Sequence, residues 1–464
     1  MYKLLYRAFP QYYVGSSAYA MFPFQTPAKT KENLRHLGQL QDFDFQRPGP
    51  LPQPKLIDSW EECTQILSDH ENFKVPWSDK IKDITLGRDY CHAGDTDWYR
   101  KQHEFIDKAI YCPHSWKQEI STLYEKLTLD FIDSNSRKLR SGFQIDVVKD
   151  IAIPSHTQAM ARIFHIPLKK TGAARPAGFL SEHEFYTHMS SIFRYIFANS
   201  DPCNAYALRQ EALRAAAVIR PLTERVVDSV KHANFHDLAH DIFQATGQPT
   251  TSDDLAHSFG TNLIRRLLQP PHPTESAKPY DVPTILTLTI AEGLCAGSQS
   301  LTQILDLLHS PPYNSIWPTI SSLSPSESES LILESLRLSP PVYALPRLST
   351  KDPKTPLLLN LLSASLSSTA FPNPQEINLS RPRDTYLHHG CGAHACIGRD
   401  LITTALVAQI RVLAQLKNLR RMPGAHGEVK FLWKEKALGW KVYLSEDWRE
   451  QWPFPTTMRV LYDE

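Results

Sequence analysis

The stretch Thr284–Leu308, TILTLTIAEGLCAGSQSLTQILDLL, constrains this chain more than any other. It is apolar nearly all round, so a helix over it has no solvent face and must run through the core of a large domain. Gly293 and Gly297 interrupt it, and a helical glycine costs about 1 kcal/mol relative to alanine. Two such glycines imply that something approaches the backbone closely. A bound group and a close helix crossing would both require them.

The rest of the chain is compatible with such a core. Apolar residues recur at three- and four-residue spacing over 116–132, 146–165, 205–231 and 252–268, which predicts helices. Strand-like runs are few: Pro356–Leu366 and a hairpin-like pattern over 429–444. Proline clusters at 47–54, 269–283 and 310–326 read as loops between helices. Residues 1–55 read as an extended N-terminal segment, and no internal repeat is visible. The expected class is mainly α with a minor β region.

Composition excludes some functions. A formal net charge of +1 over 464 residues argues against a general nucleic-acid binder, which would carry a basic bias. The cysteines (63, 91, 112, 203, 295, 391 and 396) are odd in number and scattered, as expected of reduced thiols in an intracellular protein. No run of about eighteen apolar residues marks a transmembrane anchor. The expectation is a soluble, cytoplasmic protein, whose N-terminal aromatics offer at most peripheral membrane contact.

The segment SPSESESLILESLRLSPP opens with Ser324-Pro325 and carries Glu327 three residues after the serine. That is a capping box with proline at the first helical position, and Pro340-Pro341 close the helix. Glu334 and Arg337, three residues apart, share a face and can pair. Such pairs are commonly surface salt bridges of little worth. The flanking leucines suit a buried, structural pair, and spacing alone leaves both readings open.

The segment His388–Gly398, HHGCGAHACIG, concentrates metal-ligating side chains. Tetrahedral zinc is one candidate, but structural zinc sites pair two separated ligand clusters, and no second cluster is present. Heme held by one thiolate is the other. Cys396 precedes the helical run RDLITTALVAQIRVLAQL, so its sulfur would sit at a helix N-terminus, where dipole and free amides favour an anion. Gly392 and Gly398 would let the loop press against a flat ring, and His394 would reach the ring edge and donate to a propionate.

Four motifs in order now carry a resemblance. Ala296-Gly297 on the long helix is followed by Glu334-x-x-Arg337, then Phe371-Pro372-Asn373-Pro374 with Arg381-Pro382, then Gly392-x-His394-x-Cys396-Ile397-Gly398. This order resembles the cytochrome P-450 superfamily and covers nearly the whole chain. It implies a single large domain, residues 1–464, around a buried heme b. The helix 284–308 would be distal, and 386–416 would supply the cysteine loop and following helix. Upstream, FQTPAKTKENLRHLGQLQDFDFQRP, FKVPW, GDTDWYRKQHEFIDKAIY and IDVVKDIAIPSHTQAMARIFHIPLK resemble the C-terminal heme-thiolate domain of fungal linoleate diol synthases and related fatty-acid oxygenases. Those proteins join it to a peroxidase-type dioxygenase domain, which has no counterpart in these 464 residues.

The resemblance implies roles residue by residue. Cys396 matches the axial iron ligand, and Glu334 and Arg337, with Arg381, match the proximal structural brace. Arg347 and His394 match propionate partners. A His-x-x-x-Arg motif is replaced by Tyr99-x-x-x-His103, with Arg100 as a substitute cation. His389 stands where a phenylalanine usually shields the sulfur. An acid-then-threonine pair that delivers protons is replaced by Ser298-Gln299-Ser300 after Ala296-Gly297.

Three functional readings follow. A heme that cleaves a peroxide already in its apolar, fatty-acid-derived substrate needs neither electrons nor a proton relay. A monooxygenase of secondary metabolism would be fed by NADPH-cytochrome P-450 reductase, docked on a basic face of Arg381, Arg383, Arg399, Arg411, Lys417, Arg420 and Arg421. A non-catalytic heme sensor is a third class, disfavoured because thiolate ligation promotes O–O cleavage.

Overall fold

A computed structural model describes residues 54–169, 178–198, 205–232, 251–269, 280–436, 439–445 and 451–464. The expected extended segment therefore lies, up to residue 53, outside the described residues, as does Cys203. The described helices are α1 (Trp60–Ser68), α2 (Ser78–Thr85), α3 (Asp97–Tyr111), α4 (Trp116–Asn135), α5 (Ile153–Ile163), α6 (Glu182–Ile196) and α7 (Ala205–His232). They continue with α8 (Thr251–Leu268), α9 (Val282–Leu308), α10 (Pro325–Leu338), α11 (Leu361–Ala364) and α12 (Arg399–Leu413).

Helix α9 forms the centre. Asp281 caps it by accepting from the Thr284 amide, and α5, α6, α7, α10 and α12 pack around it. Its side chains are buried on most sides, with Thr289, Glu292 and Ala296 left partly accessible along one stripe. One core cluster includes Ile285, Leu286, Leu288 and Leu294, and a second includes Leu301, Ile304, Leu305 and Leu308. Ile153 and Ile402 pack against both clusters, so they form the continuous interior of one domain.

The sheets are small, and Ile145, Tyr443 and Val460 from two of them join the second core cluster. In the first, Lys55–Ile57 pairs in parallel with Pro356–Asn360, which pairs antiparallel with Ala344–Ser349. In the second, Arg459–Tyr462 lies between Gly142–Asp146 and Arg420–Arg421. The third contains the expected hairpin, Phe431–Glu435 with Trp440–Leu444.

Two expectations require correction. The strand read over Pro356–Leu366 ends at Asn360, whose side chain accepts from the Ser363 amide and starts the helical turn α11. The helix read over 146–165 begins as a π-helical stretch, Val147–Ala152, because the Asp146 carboxylate caps the amides of Val148 and Lys149 there. The close approach at α9 is also resolved. A Cβ at Gly297 would meet His156 Nδ1 at 2.4 Å and Ile402 Cδ1 at 2.7 Å, and one at Gly293 would meet Met160 Sδ at 3.3 Å. The glycines admit α5, so a helix crossing accounts for them.

Candidate functional site

The capping box at Ser324 and Glu327 is present, and Pro325 occupies the first turn of α10. Glu334 and Arg337 are fully buried. Arg337 donates to both carboxylate oxygens at 2.7 and 3.0 Å. Arg381 Nε (3.2 Å), Tyr386 Oη (3.0 Å) and the Asn378 amide (2.9 Å) donate to the same carboxylate. Arg337 also donates to the carbonyls of Ser365, Pro374 and Glu376. Burial opposes ionisation of Glu334, but these donors together hold its carboxyl below the ordinary value. The bracket ties α10 to the loop leading into Tyr386 and the cysteine segment.

That loop is fixed by its own backbone and by α3. The Cys396 amide donates to His389 O at 2.8 Å. His103 Nε2 donates to Ala395 O at 2.7 Å, and Tyr111 Oη donates to Ile397 O at 2.6 Å. Gly398 N-caps α12, and a Cβ there would meet only Cys396 Sγ, at 3.9 Å. The sulfur thus lies beside the first turn of α12. Burial and the Glu292 charge push its thiol up to about 12, opposed by the Gly398 amide. Gly392 has φ +70° and faces Leu67 O and Ser68 Cα of α1, so it seats the loop on α1 rather than on a bound ring.

His389 is partly accessible. Desolvation, with Arg399 and Arg383 nearby, pulls its pKa down to about 4, so at neutral pH it is an uncharged imidazole. Cys391 Sγ approaches Thr64 O and Ser68 Oγ, away from the sulfur of Cys396. Among the described residues no group of three or more His, Cys, Asp and Glu is arranged to hold a metal ion, which leaves zinc without a ligand set.

A polar cluster lies beside the loop. His394 Nε2 donates to Asp95 Oδ1 at 2.8 Å, while its buried Nδ1 has no partner. Arg347, 2% exposed, makes one hydrogen bond, to Pro346 O, and burial lowers its pKa to about 10. His92 Nδ1 meets Glu292 Oε1 at 3.2 Å, and its buried Nε2 has no partner. The His92 ring lies 5.9 Å from that of His103 and 6.4 Å from that of His394. Buried polar atoms without partners are rare in folded proteins. Here several cationic or donor groups converge without enough anions, as a site for a carboxylate-bearing group requires. With a thiol beside a helix N-terminus, this donor set fits a heme with its propionates.

Not every expected residue reaches this cluster. Arg100 lies on the outer face of α3, paired with Asp97 and, at 2.8 Å, with Glu104. Tyr99 Oη donates to Asp89 at 2.8 Å, because the ring packs over Gly94. Of the five expected residues on α9, only Ala296 lies on the accessible stripe. Gly297 faces α5, and Ser298 and Ser300 donate to Leu294 O and Ala296 O. Gln299 Nε2 donates to Pro341 O at 3.1 Å. Sequence reasoning missed His92 and Glu292. The available signal was Glu292 itself, a lone acid in the apolar first half of α9.

Most cations of the expected basic docking face have a partner within the fold. Arg381 is buried against Glu334, and Arg383 pairs with Glu329 and Asp400. Arg399 lies 3.9 Å from Asp400, Arg420 pairs with Asp463, and Arg421 pairs with Asp306. Arg411 donates to Leu323 O and Lys417 to Glu464 O. The cations are neutralised or engaged where they stand.

This architecture is the cytochrome P450 fold. The chain superposes on HmtT, involved in himastatin biosynthesis, with a TM-score of 0.62 at 16% identity, covering 90% of this chain and 95% of that one. It likewise superposes on P450BioI in complex with a hexadec-9Z-enoic acid-ligated acyl carrier protein, with a TM-score of 0.60 at 14% identity, covering 94% and 99%. No family model matches the sequence.

Along its whole length the sequence is similar to part of several fungal oxygenases. It is 32% identical over its whole length to psi-producing oxygenase A of Aspergillus fumigatus, covering 44% of that protein. It is 30% identical to a bifunctional dioxygenase–epoxy alcohol synthase of Fusarium oxysporum, covering 37%, and 25% identical to 7,8-linoleate diol synthase of Pyricularia oryzae, covering 48%. The chain spans less than half the length of these relatives. Among the described residues no helix is long and apolar enough to cross a membrane.

Proposed function

We propose that the chain is a heme-thiolate enzyme that rearranges a fatty-acid hydroperoxide, returning oxygen to the molecule that carried it. The observation that carries this reading is the engaged state of Ser298, Gln299 and Ser300. The hydroxyls of Ser298 and Ser300 and an N–H of Gln299 are bonded to carbonyls, and no acid stands at the turn after Gly297 to pass protons to dioxygen. The neutralised basic face agrees, since an isomerisation draws no electrons from a partner. The relatives' names supply the substrate class.

A bound heme b would supply O–O bond cleavage, which thiolate ligation favours. The chain's own residues do the rest. Cys396 would hold the iron, and the amide of Gly398 would donate to the sulfur. His394 and Arg347 would bind the carboxylate edge, and His103 would hold the cysteine loop through Ala395 O. The stripe of Thr289, Glu292 and Ala296 would form the distal wall, and the buried flanks of α9 would keep bulk water from the reacting atoms.

Purified chain is given a C18 fatty-acid hydroperoxide without reductase, and separately the fatty acid with NADPH-cytochrome P450 reductase and NADPH. The expected outcome is turnover in the first regime. Turnover confined to the second would replace this reading with a reductase-fed monooxygenase. Reduced protein that fails to give a thiolate-type carbon monoxide band would remove the heme-thiolate assignment.

A further inference from the structure

His92 lies outside every motif of the sequence, yet it is among the most tightly positioned side chains of the site. Trp77 Nε1 donates to the His92 carbonyl at 2.7 Å, fixing its backbone. Glu292 Oε1 holds Nδ1 at 3.2 Å from the accessible stripe of α9. The Tyr90 ring packs edge-on at 5.4 Å, and the rings of His103 and His394 lie on other sides. The residue is 9% exposed, and its Nε2 has no partner. A carboxylate behind an imidazole fixes its orientation and aims the opposite ring nitrogen outward. Of the two positions that the resemblance assigns to anion contacts on α3, Tyr99 is spent on Asp89 and His103 Nε2 on Ala395 O, and the substitute Arg100 is spent on Asp97 and Glu104.

We propose that His92 Nε2 binds a carboxylate, with Glu292 as the positioning residue behind it. The inference rests on the heme-thiolate reading. The carboxylate belongs either to the edge of the bound cofactor or to the head of the fatty acid, and the two sources are separable.

Heme-loaded full chain is compared with its His92→Phe, His92→Gln and Glu292→Gln variants. Release of heme to excess apomyoglobin is timed, and linoleic acid and methyl linoleate are titrated by their optical shifts. If the cofactor supplies the carboxylate, His92→Phe releases heme about tenfold faster, as loss of a charge-assisted hydrogen bond implies. His92→Gln, which keeps a donor, restores most of the retention, and Glu292→Gln falls between. If the fatty acid supplies it, heme release is unchanged, and His92→Phe binds linoleic acid about tenfold more weakly but methyl linoleate equally well. Variants that melt like wild type and change neither quantity overturn the proposal. Wild-type protein without a thiolate-type carbon monoxide band overturns the heme-thiolate reading instead, whatever His92 does.

Discussion

Glu334 shows how one residue can hold a proximal structure together. Five donor atoms from Arg337, Arg381, Tyr386 and the Asn378 amide converge on its carboxylate in a site with no solvent exposure. Glu334→Ala leaves two buried guanidinium groups uncompensated, and it is expected to destabilise the fold by about 3–5 kcal/mol in urea denaturation. Acid should undo the same contribution. The folded carboxyl titrates below its ordinary value of 4.5, so the contribution is complete above about pH 4.5 and disappears as pH falls through the lowered value. Wild type should lose stability over that acid window, and a Glu334→Gln variant should lose less of it. The three-residue spacing of Glu334 and Arg337 was legible in the sequence. Their burial was not, because the partners that enforce it come from residues 365–386, far along the chain. The same applies to the cysteines. Cys391 contacts α1 while Cys396 lies at the N-terminus of α12, so Cys391→Ser should keep a thiolate-type carbon monoxide band and Cys396→Ser should abolish it.

At the scale of elements, two helices built on apolar runs with marked ends were legible. Helix α9, with Asp281 before Val282-Pro283, and α10, with its capping box, were both read with ends close to those observed. Helix α6 went unread, although Ser181 and Glu184 form a capping box at its start and its apolar residues keep a helical period. The direction of each face of α9 was less legible, since an apolar helix buried all round does not declare which side meets which neighbour. The structure separates its two glycines by the space beside them. Gly297→Ala drives a methyl into His156, whose ring is held by Tyr124 and Gln409, and it should cost about 1–3 kcal/mol. Gly293→Ala meets only the flexible Met160 side chain, so helix propensity should win and stability should be unchanged or rise by up to about 1 kcal/mol. Paired thermal melts check the contrast, and equal effects at the two positions would refute this packing.

For the whole molecule, charge distribution bears on mechanism more than total charge does. The net charge of +1 excluded a strongly basic protein, but not a local basic face. The arginines near the cysteine loop suggested one, because sequence shows cations without their acceptors. In the fold Arg383, Arg420 and Arg421 meet Glu329, Asp400, Asp463 and Asp306, acids drawn from four separate regions of the chain, while Arg411 and Lys417 donate to carbonyls. A cation paired within hydrogen-bond distance contributes little to the long-range field that steers an acidic partner. Encounter with NADPH-cytochrome P450 reductase should therefore lack electrostatic steering. The expected result is slow reduction of the heme-loaded chain, with a rate nearly flat between low and physiological ionic strength. A steered pair would slow steeply over that range, as charge screening shortens to about 8 Å. Stopped-flow reduction under carbon monoxide at several salt concentrations measures this. A steep fall with salt would place an unpaired basic surface on the docking face and return the reductase-fed reading to first place.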